Sequence, residues 1–495
     1  MAISLVIIPL AAAFITALLG KYFRRLPDII SFCAMAVSFA VSLLIPRLSQ
    51  SALVYVYKLG GWSAPWGINL VVDGLSAFML VTINLVAFMI TIFCIDYMEK
   101  YTAKWKFYTL FLLMLAGMNG VVLSGDIFNL FVFLEIASVA SFALVAYGVE
   151  AQELEASFKY IIMSTLASLF ILLGIAFLYS YTSTLNMADL SRVLYEKGSS
   201  NLVIFVSILF IVGFGLKAAI VPFHAWLPDA HPSAPAPVSA FLSGVLIKAL
   251  GIYAIIRIFY NVLGVNHIFL NLLTVFGVIS IMAGVFLAIG QMDLKRLLAY
   301  HSISQVGYIM LGIGLNSPLG ILGGLFHLFN HSVFKSLLFL NSGAIEYATG
   351  TRNLEEMGGL REKMPVTAST SMVASMAISG IPPFNGFWSK IIIIIACIEA
   401  NRLGLAVWAV IGSILTLASF MKVQKYAFFG KLNERYNQLK EVPLFMQISM
   451  VALAVISIFG VVLLLPSIGA YLLQPAMDAL LRGIRYMDLV LGQLL

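Results

Sequence analysis

The chain has 495 residues, of which 61% are hydrophobic and only 10% charged, with a mean hydropathy of +1.02. A soluble domain of this length carries roughly a quarter of its residues as charges, so the deficit argues against a water-soluble enzyme and places much of the surface in lipid. The net charge of +7 does not point to a nucleic acid, because the basic residues sit in short turns between apolar runs.

Runs of about 20 apolar residues are long enough to cross a hydrocarbon core as helices. Fourteen such spans are predicted, at 2–20, 28–46, 70–95, 107–124, 126–148, 157–180, 202–221, 237–260, 268–290, 301–316, 319–345, 365–398, 402–428 and 443–468. The first has no basic leader, its first charges being Lys21, Arg24 and Arg25 behind it, and it reads as a retained helix rather than a signal peptide. Links such as Ser124-Gly125-Asp126 and Asn316-Ser317-Pro318 leave no room for a soluble domain. The fold class is an all-α polytopic membrane protein. The tail from Gln474 to Leu495 is amphipathic and too polar to span, and is expected at the membrane surface or along a partner subunit. Cys33, Cys94 and Cys397 lie in or beside apolar runs without paired spacing, which argues against a disulfide framework or a Cys-ligated cluster.

Basic residues orient the spans. Seventeen Lys and Arg fall in odd-numbered connections, and six (Arg47, Lys58, Arg192, Lys197, Arg257 and Arg402) in even-numbered ones. The odd connections are therefore predicted cytoplasmic and both termini external, in a plasma membrane.

Glu135, Lys217, Lys248, Lys335 and Lys390 fall well inside predicted spans. Each charge at the bilayer centre costs about 2.5–3.5 kcal/mol on insertion scales, so these groups must face the protein interior, find partners or line water. A single case is readily an inert ion pair or a snorkelling side chain; five in one chain favour a working row. Lysine suits proton transfer, because removal from water favours the amine and a nearby carboxylate the ammonium. Glu135 is the natural partner of Lys217; Asp126, nine residues earlier near a helix end, is the alternative. His327, His331 and Lys335 follow i, i+4, i+8 spacing and share one helix face, a plausible proton wire. Two histidines at i, i+4 also have zinc-ligand spacing, but Leu328-Phe329-Asn330 between them lacks the metalloprotease glutamate and no third ligand is evident, so no metal is expected. Histidines on one face cannot ligate a haem from both sides.

Two spans carry interruptions. Lys217-Ala218-Ala219-Ile220-Val221-Pro222 leads into a proline-rich stretch from His224 to Pro237, and Gly380-Ile381-Pro382-Pro383 precedes Lys390. Proline removes a donor and clashes with the preceding turn, so spans 7 and 12 are predicted to break at Pro222 and at Pro382 and Pro383. Broken helices in corresponding halves, each with a lysine nearby, point to an inverted-repeat transporter.

At these residues the chain resembles the D-type component (Mrp-D) of the multisubunit Mrp-type sodium/proton antiporters. It is similarly close to the antiporter-like subunits of respiratory complex I and of membrane-bound group 4 hydrogenases or related sulfur-reducing complexes. The resemblance covers about 70–430. It rests on Gly125-Asp126-Ile127-Phe128-Asn129-Leu130-Phe131-Val132-Phe133-Leu134-Glu135, on Lys217 through Pro222-Phe223-His224-Ala225-Trp226-Leu227-Pro228-Asp229-Ala230, and on Gly380 through Phe384-Asn385-Gly386-Phe387-Trp388-Ser389-Lys390. The resemblance implies two inverted five-helix repeats, spans 4–8 and 9–13, and so a division into 1–106 (spans 1–3), 107–260 (spans 4–8), 261–428 (spans 9–13) and 429–495 (span 14 and a tail). It implies that Glu135 pairs with Lys217, that Lys248 and the His327–His331–Lys335 stripe continue a proton path, and that Lys390 ends it on the exit side. It also implies partner subunits of an Mrp-type, complex I-like or hydrogenase-like assembly. The family's long lateral helix after the core is absent, since this chain ends soon after span 14, and Lys390 stands where some complex I relatives have glutamate; both fit the Mrp-D or hydrogenase group better.

The sequence contains no nucleotide loop, flavin motif or iron–sulfur ligand set, so no cofactor is expected and redox chemistry belongs to partners. Two other readings remain open at this level. A self-contained transporter of a small solute requires a midplane pocket and activity without partners. A quinone-binding redox subunit would use the 13% aromatic residues, which more often pack or anchor membrane helices.

Overall fold

The computed structural model describes residues 1–63, 66–198 and 200–494. Helices dominate: α1 (Ser4–Leu19), α2 (Leu26–Ala52), α3 (Gly74–Tyr97), α4 (Lys104–Leu123), α5 (Ile127–Val145), α6 (Ala151–Thr182), α7 (Met187–Lys197), α8 (Asn201–Ala218), α9 (Leu227–Ser233), α10 (Ala236–Val262), α11 (His267–Ile289), α12 (Leu294–Gly314), α13 (Pro318–Thr349), α14 (Pro365–Ser379), α15 (Asn385–Glu399), α16 (Leu403–Phe428), α17 (Leu444–Leu464), α18 (Leu473–Leu481) and α19 (Tyr486–Leu494). Among the described residues, ten helices are long and apolar enough to cross a membrane. α12 and α13, which carry many of the buried polar residues, fall outside that set, as do the short α1 and the two halves α14 and α15.

Polar side chains at the ends of the apolar runs start the helices. Asp73 accepts from the Ser76 amide ahead of α3, Asp126 from Asn129 ahead of α5, Asp293 from Arg296 ahead of α12 and Ser317 from Gly320 ahead of α13. Each satisfies an amide that the first helical turn leaves free.

The bundle has two ends. One, the hairpin face, carries the antiparallel strands β1 (Tyr55–Lys58) and β2 (Asn69–Val72), the amphipathic α7 and the last two helices. The other, the far face, carries the connections 98–103, 146–150, 290–293, 350–364 and 429–443. Ion pairs tie it together: Lys159 to Asp229 at 3.1 Å, Lys295 to Glu346 at 2.7 Å and Arg352 to Asp293 at 2.5 Å. The hairpin, α7 and the strand-like bridges at Asp126 and Asp293 have no counterpart among the predicted elements; short runs inside connections leave too little periodicity to read.

α10 is enclosed along its whole length, with α3 and α4 mostly so, whereas α6, α16 and α17 present large apolar side chains outward, including Phe158, Trp408 and Phe459. That sidedness is what a lipid-facing rim around a polar interior requires.

The tail, expected at the membrane surface or along a partner subunit, also packs on the body of the chain: Leu473, Ala476 and Leu480 of α18 are buried, and the Asn261 amide donates to Ala479 O (2.9 Å) and Gly483 O (3.0 Å). One expectation needs correction. Arg257, counted as a loop residue, is buried in α10 and makes a two-pronged pair with Asp73, at 2.6 and 2.7 Å. A guanidinium this close to a helix end is hard to distinguish from a loop charge by composition alone.

Candidate functional site

α5, α6 and α8 build the first part of the site. Glu135 lies about two turns into α5, and its Oε1 accepts from Ser168 Oγ of α6 at 2.5 Å. Lys217, in the last turn of α8, donates to Ser164 Oγ at 2.6 Å and Ser138 Oγ at 2.9 Å, and reaches Glu135 Oε1 only at 3.5 Å. Its ammonium is thus held by hydroxyls, with the carboxylate at the limit of contact. Lys217 is buried, while the Glu135 side chain is 34% exposed on the side of the chain. Asp126, the alternative partner, caps α5 roughly 13 Å away along the helix axis.

The break after Lys217 follows from its neighbours. Ala219 takes φ +54 and α8 stops, Pro222 lying beyond the helix end rather than inside it. The Leu216 carbonyl accepts from Trp226 Nε1 at 2.9 Å, and the Val221 amide donates to Ser280 Oγ at 3.0 Å. Irregular backbone at this depth is sustained because protein groups satisfy it.

In the middle, Lys248 is fully buried on α10 and donates to Ser243 O at 2.5 Å. α10 contains π-helical turns at Leu242–Leu246, Lys248–Tyr253 and Arg257–Val262. Wider turns of this kind expose carbonyls to side chains, and nothing in the residue pattern announces them. Ser243 Oγ also bonds Ser302 Oγ of α12 at 2.7 Å.

On α13, His327, His331 and Lys335 are fully buried and share one face. The two imidazoles lie nearly parallel, centroids 6.3 Å apart. His327 Nδ1 bonds Ser389 Oγ of α15 at 2.9 Å, next to Lys390, while Lys335 Nζ donates to Leu298 O of α12. His327 Nε2 and both nitrogens of His331 have no protein partner among the described residues.

The second break mirrors the first with its lysine on the other side. α14 ends at Ser379, Gly380 turns through φ +79, and α15 restarts at Asn385 beyond Pro382 and Pro383. Lys390 folds back to donate to Ile378 O at 2.8 Å, its ammonium 4.6 Å from the centre of the Tyr308 ring. Lys217 precedes its break; Lys390 follows its own.

Among the sequence-predicted residues, Glu135 and Lys217 meet as an ion pair and His327 and His331 as facing rings. Lys248, His327, His331, Lys335 and Lys390 are placed on adjoining helices, and serines and carbonyls stand between them. Sequence reasoning missed Ser138, Ser164, Ser168, Ser389 and Tyr308. The i, i+3 and i, i+4 spacings of Glu135 with Ser138 and of Ser164 with Ser168 were available as a signal. Among the described residues no cluster of three or more His, Cys, Asp or Glu could hold a metal ion.

On the far face a cavity of about 370 Å³ is lined by Gln152, Glu155, Lys159, Asp229, Arg296 and Arg352 among others. It opens on α6 little more than one turn outside Ser164.

Proteins of known family share this fold over nearly the whole chain. Residues 124–416 match the family described as "NADH:quinone oxidoreductase/Mrp antiporter, TM", and residues 58–108 match "NADH-Ubiquinone oxidoreductase (complex I), chain 5 N-terminus". The chain is 35% identical over 436 residues to the D-type component of the Na(+)/H(+) antiporter of Alkalihalophilus pseudofirmus, covering 86% of this chain and 87% of the relative. It is 36% identical over 438 residues to the N-type component of the NADH-quinone oxidoreductase of Desulforudis audaxviator, covering 87% of each. A chain of the Mrp complex from Dietzia sp. superposes with a TM-score of 0.91 at 29% identity, covering 99% of both chains. A chain of the membrane-bound sulfane sulfur reductase, an archaeal respiratory membrane complex, superposes with a TM-score of 0.89, again at 29% identity and 99% coverage of both. The protein therefore belongs to the NADH:quinone oxidoreductase/Mrp antiporter transmembrane family.

Proposed function

We propose that the chain is an ion-translocating subunit of a multisubunit membrane complex and that it moves protons, with sodium as the second candidate cation, along Glu135, Lys217, Lys248, His327, His331, Lys335 and Lys390. One observation carries this reading. All four lysines and both histidines of this row are buried, and Glu135 stands 3.5 Å from one of the ammonium groups, close enough to bias its charge and too far to lock it.

Protons load from the far-face cavity through Ser164 onto Lys217. Approach or withdrawal of Glu135 switches that lysine between holding and releasing a proton, and charge repulsion passes the switch along the row to Lys390. Glu135 is partly turned to the outside of the chain, where lipid would strand a carboxylate; a neighbouring subunit covering it would make the first step of the relay sensitive to the partner. The assembled relatives, an Mrp complex and a sulfane sulfur reductase, support a partner-dependent role over a self-contained solute carrier.

The finer architecture belongs to the same proposal: fourteen spans in a plasma membrane, both termini outside, with spans 4–8 and 9–13 as inverted repeats within the divisions 107–260 and 261–428. A local duplication supports it. Asp126 caps a helix and bridges to Asn186 sixty residues on, and Asp293 caps a helix and bridges to Asn353, also sixty on, the two devices at opposite ends of the bundle.

The test is Lys217→Ala in the assembled complex, reconstituted into vesicles. Proton-linked transport should be lost while assembly persists; undiminished transport would overturn the proposal.

A further inference from the structure

α14 carries a second polar line that the row does not include. Thr367, Ser371, Ser375 and Ser379 recur at every fourth residue, all buried, and so lie along one face for roughly 18 Å, a little over half the hydrocarbon thickness. Its outer end is at the far face, where Glu441 accepts from Thr367 Oγ1 at 2.6 Å and from the Val366 amide at 2.8 Å. Its inner end is the carbonyl terminus of α14, where Lys390 donates to Ile378 O at 2.8 Å.

Hydroxyls in membrane helices commonly satisfy themselves on their own backbone, as Ser379 does on Ser375 O. Ser371 and Ser375 do not. They receive Gln424 Nε2 of α16, at 3.1 and 2.9 Å, and among the described residues neither donates. Gln424 is 4% exposed, and its Oε1 has no protein partner among those residues; turning the amide over would only exchange which end is unpartnered. On the neighbouring α13, Asn341 is 2% exposed and accepts from Thr370 Oγ1 at 2.9 Å, yet its Nδ2 is also unpartnered. Buried amides and hydroxyls left over in this way are the groups that ordered water serves.

We propose that the α14 hydroxyl line is a water-filled access to Lys390 from the far face, so that this lysine exchanges protons directly with the face bearing Glu441 as well as through the row from Lys217. The proposal rests on the reading of Lys390 as a cation-carrying group. Its test measures access rather than transport, so the two fail separately.

Single cysteines at Ser371, Ser375, Ala374 and Ser369, in the full chain within its complex, are exposed in vesicles of known sidedness to a water-soluble cationic methanethiosulfonate. Modification is read site by site by mass spectrometry, which separates them from native Cys33, Cys94 and Cys397. Ala374 is buried off the line, and Ser369, two residues from Thr367 and therefore on the opposite side of α14, is exposed near the far face. A thiol in water ionises and reacts, whereas one in dry packing is inert, so Ser371→Cys and Ser375→Cys should react from the far face at least about tenfold faster than Ala374→Cys. Gln424→Leu should slow Ser375→Cys. Equal, slow modification at 371, 374 and 375 while Ser369→Cys reacts fully would overturn the proposal.

Discussion

Two acid–base pairs inside the bundle do opposite work, and the closeness of contact decides which is which. Arg257 and Asp73 are both enclosed and doubly bonded, so removing one charge strands the other. Asp73→Asn should destabilise the folded chain by about 3–5 kcal/mol, seen as a lower melting temperature of the purified complex. Glu135 stands 3.5 Å from Lys217, whose ammonium two serine hydroxyls also hold, so losing this carboxylate strands its partner less. Glu135→Gln should therefore lower melting less than Asp73→Asn and remove most proton-linked transport. The serines around Lys217 make the contrast sharper. Charge-assisted bonds contribute about 1.5–3 kcal/mol each, so the double change Ser138→Ala and Ser164→Ala should cut transport by roughly tenfold or more with Glu135 intact; a rate equal to that of the unmodified chain would remove these hydroxyls from the site. Glu135 and the four lysines were legible because a charge in an apolar run is conspicuous. The serines were not, since a hydroxyl in such a run costs little and usually bonds its own helix. Arg257 is deceptive for the opposite reason, because its charge lies near a helix end where composition cannot separate a buried pair from a loop.

The helix breaks were legible from proline, but what makes them close-fitting was not. Where α14 meets α15, a Cβ on Gly386 would stand 1.8 Å from the Ala377 carbonyl oxygen, so the two halves can pack only if that side chain is hydrogen. The obstacle is backbone and cannot rotate away. Gly386→Ala should cost about 1–3 kcal/mol through forced separation of the halves and should lower the melting temperature of the complex. Gly404, near the start of α16, has nothing within 4 Å of its would-be Cβ, and Gly404→Ala should be neutral or stabilise by roughly 0.5–1 kcal/mol through reduced freedom of the unfolded chain. Equal effects of the two would mean that the contact at Ala377 does not govern the break. The π turns of α10 lay beyond sequence reading for a similar reason. Hydrophobic periodicity averages over several turns, and a single wider turn that offers Ser243 O to Lys248 leaves the pattern unchanged.

At the scale of the whole molecule, the polytopic helical class was legible from hydropathy alone, and the tail was not. Its amphipathic pattern specifies one apolar face without saying what covers it, and the cover here is the chain's own α3 and the end of α10. Orientation is a property of the same scale, because insertion counts basic residues in short connections irrespective of acids nearby. The structure changes the tally in a definite way. Arg257 leaves the hairpin-face set because it is enclosed with Asp73, and Lys104 and Lys295 are buried against Asp28 and Glu346 at the far face. Even with those two discounted, fifteen basic residues remain toward the far face against five toward the hairpin face. Glu196 at the end of α7 and Glu362 in the 350–364 connection are both exposed, on opposite faces, and neither belongs to the polar row. In intact cells an impermeant maleimide should label Glu196→Cys and spare Glu362→Cys, with both labelled after permeabilisation. The reverse pattern would place the far-face cavity and Glu441 outside, and would turn the loading end of the Lys217 relay toward the external medium.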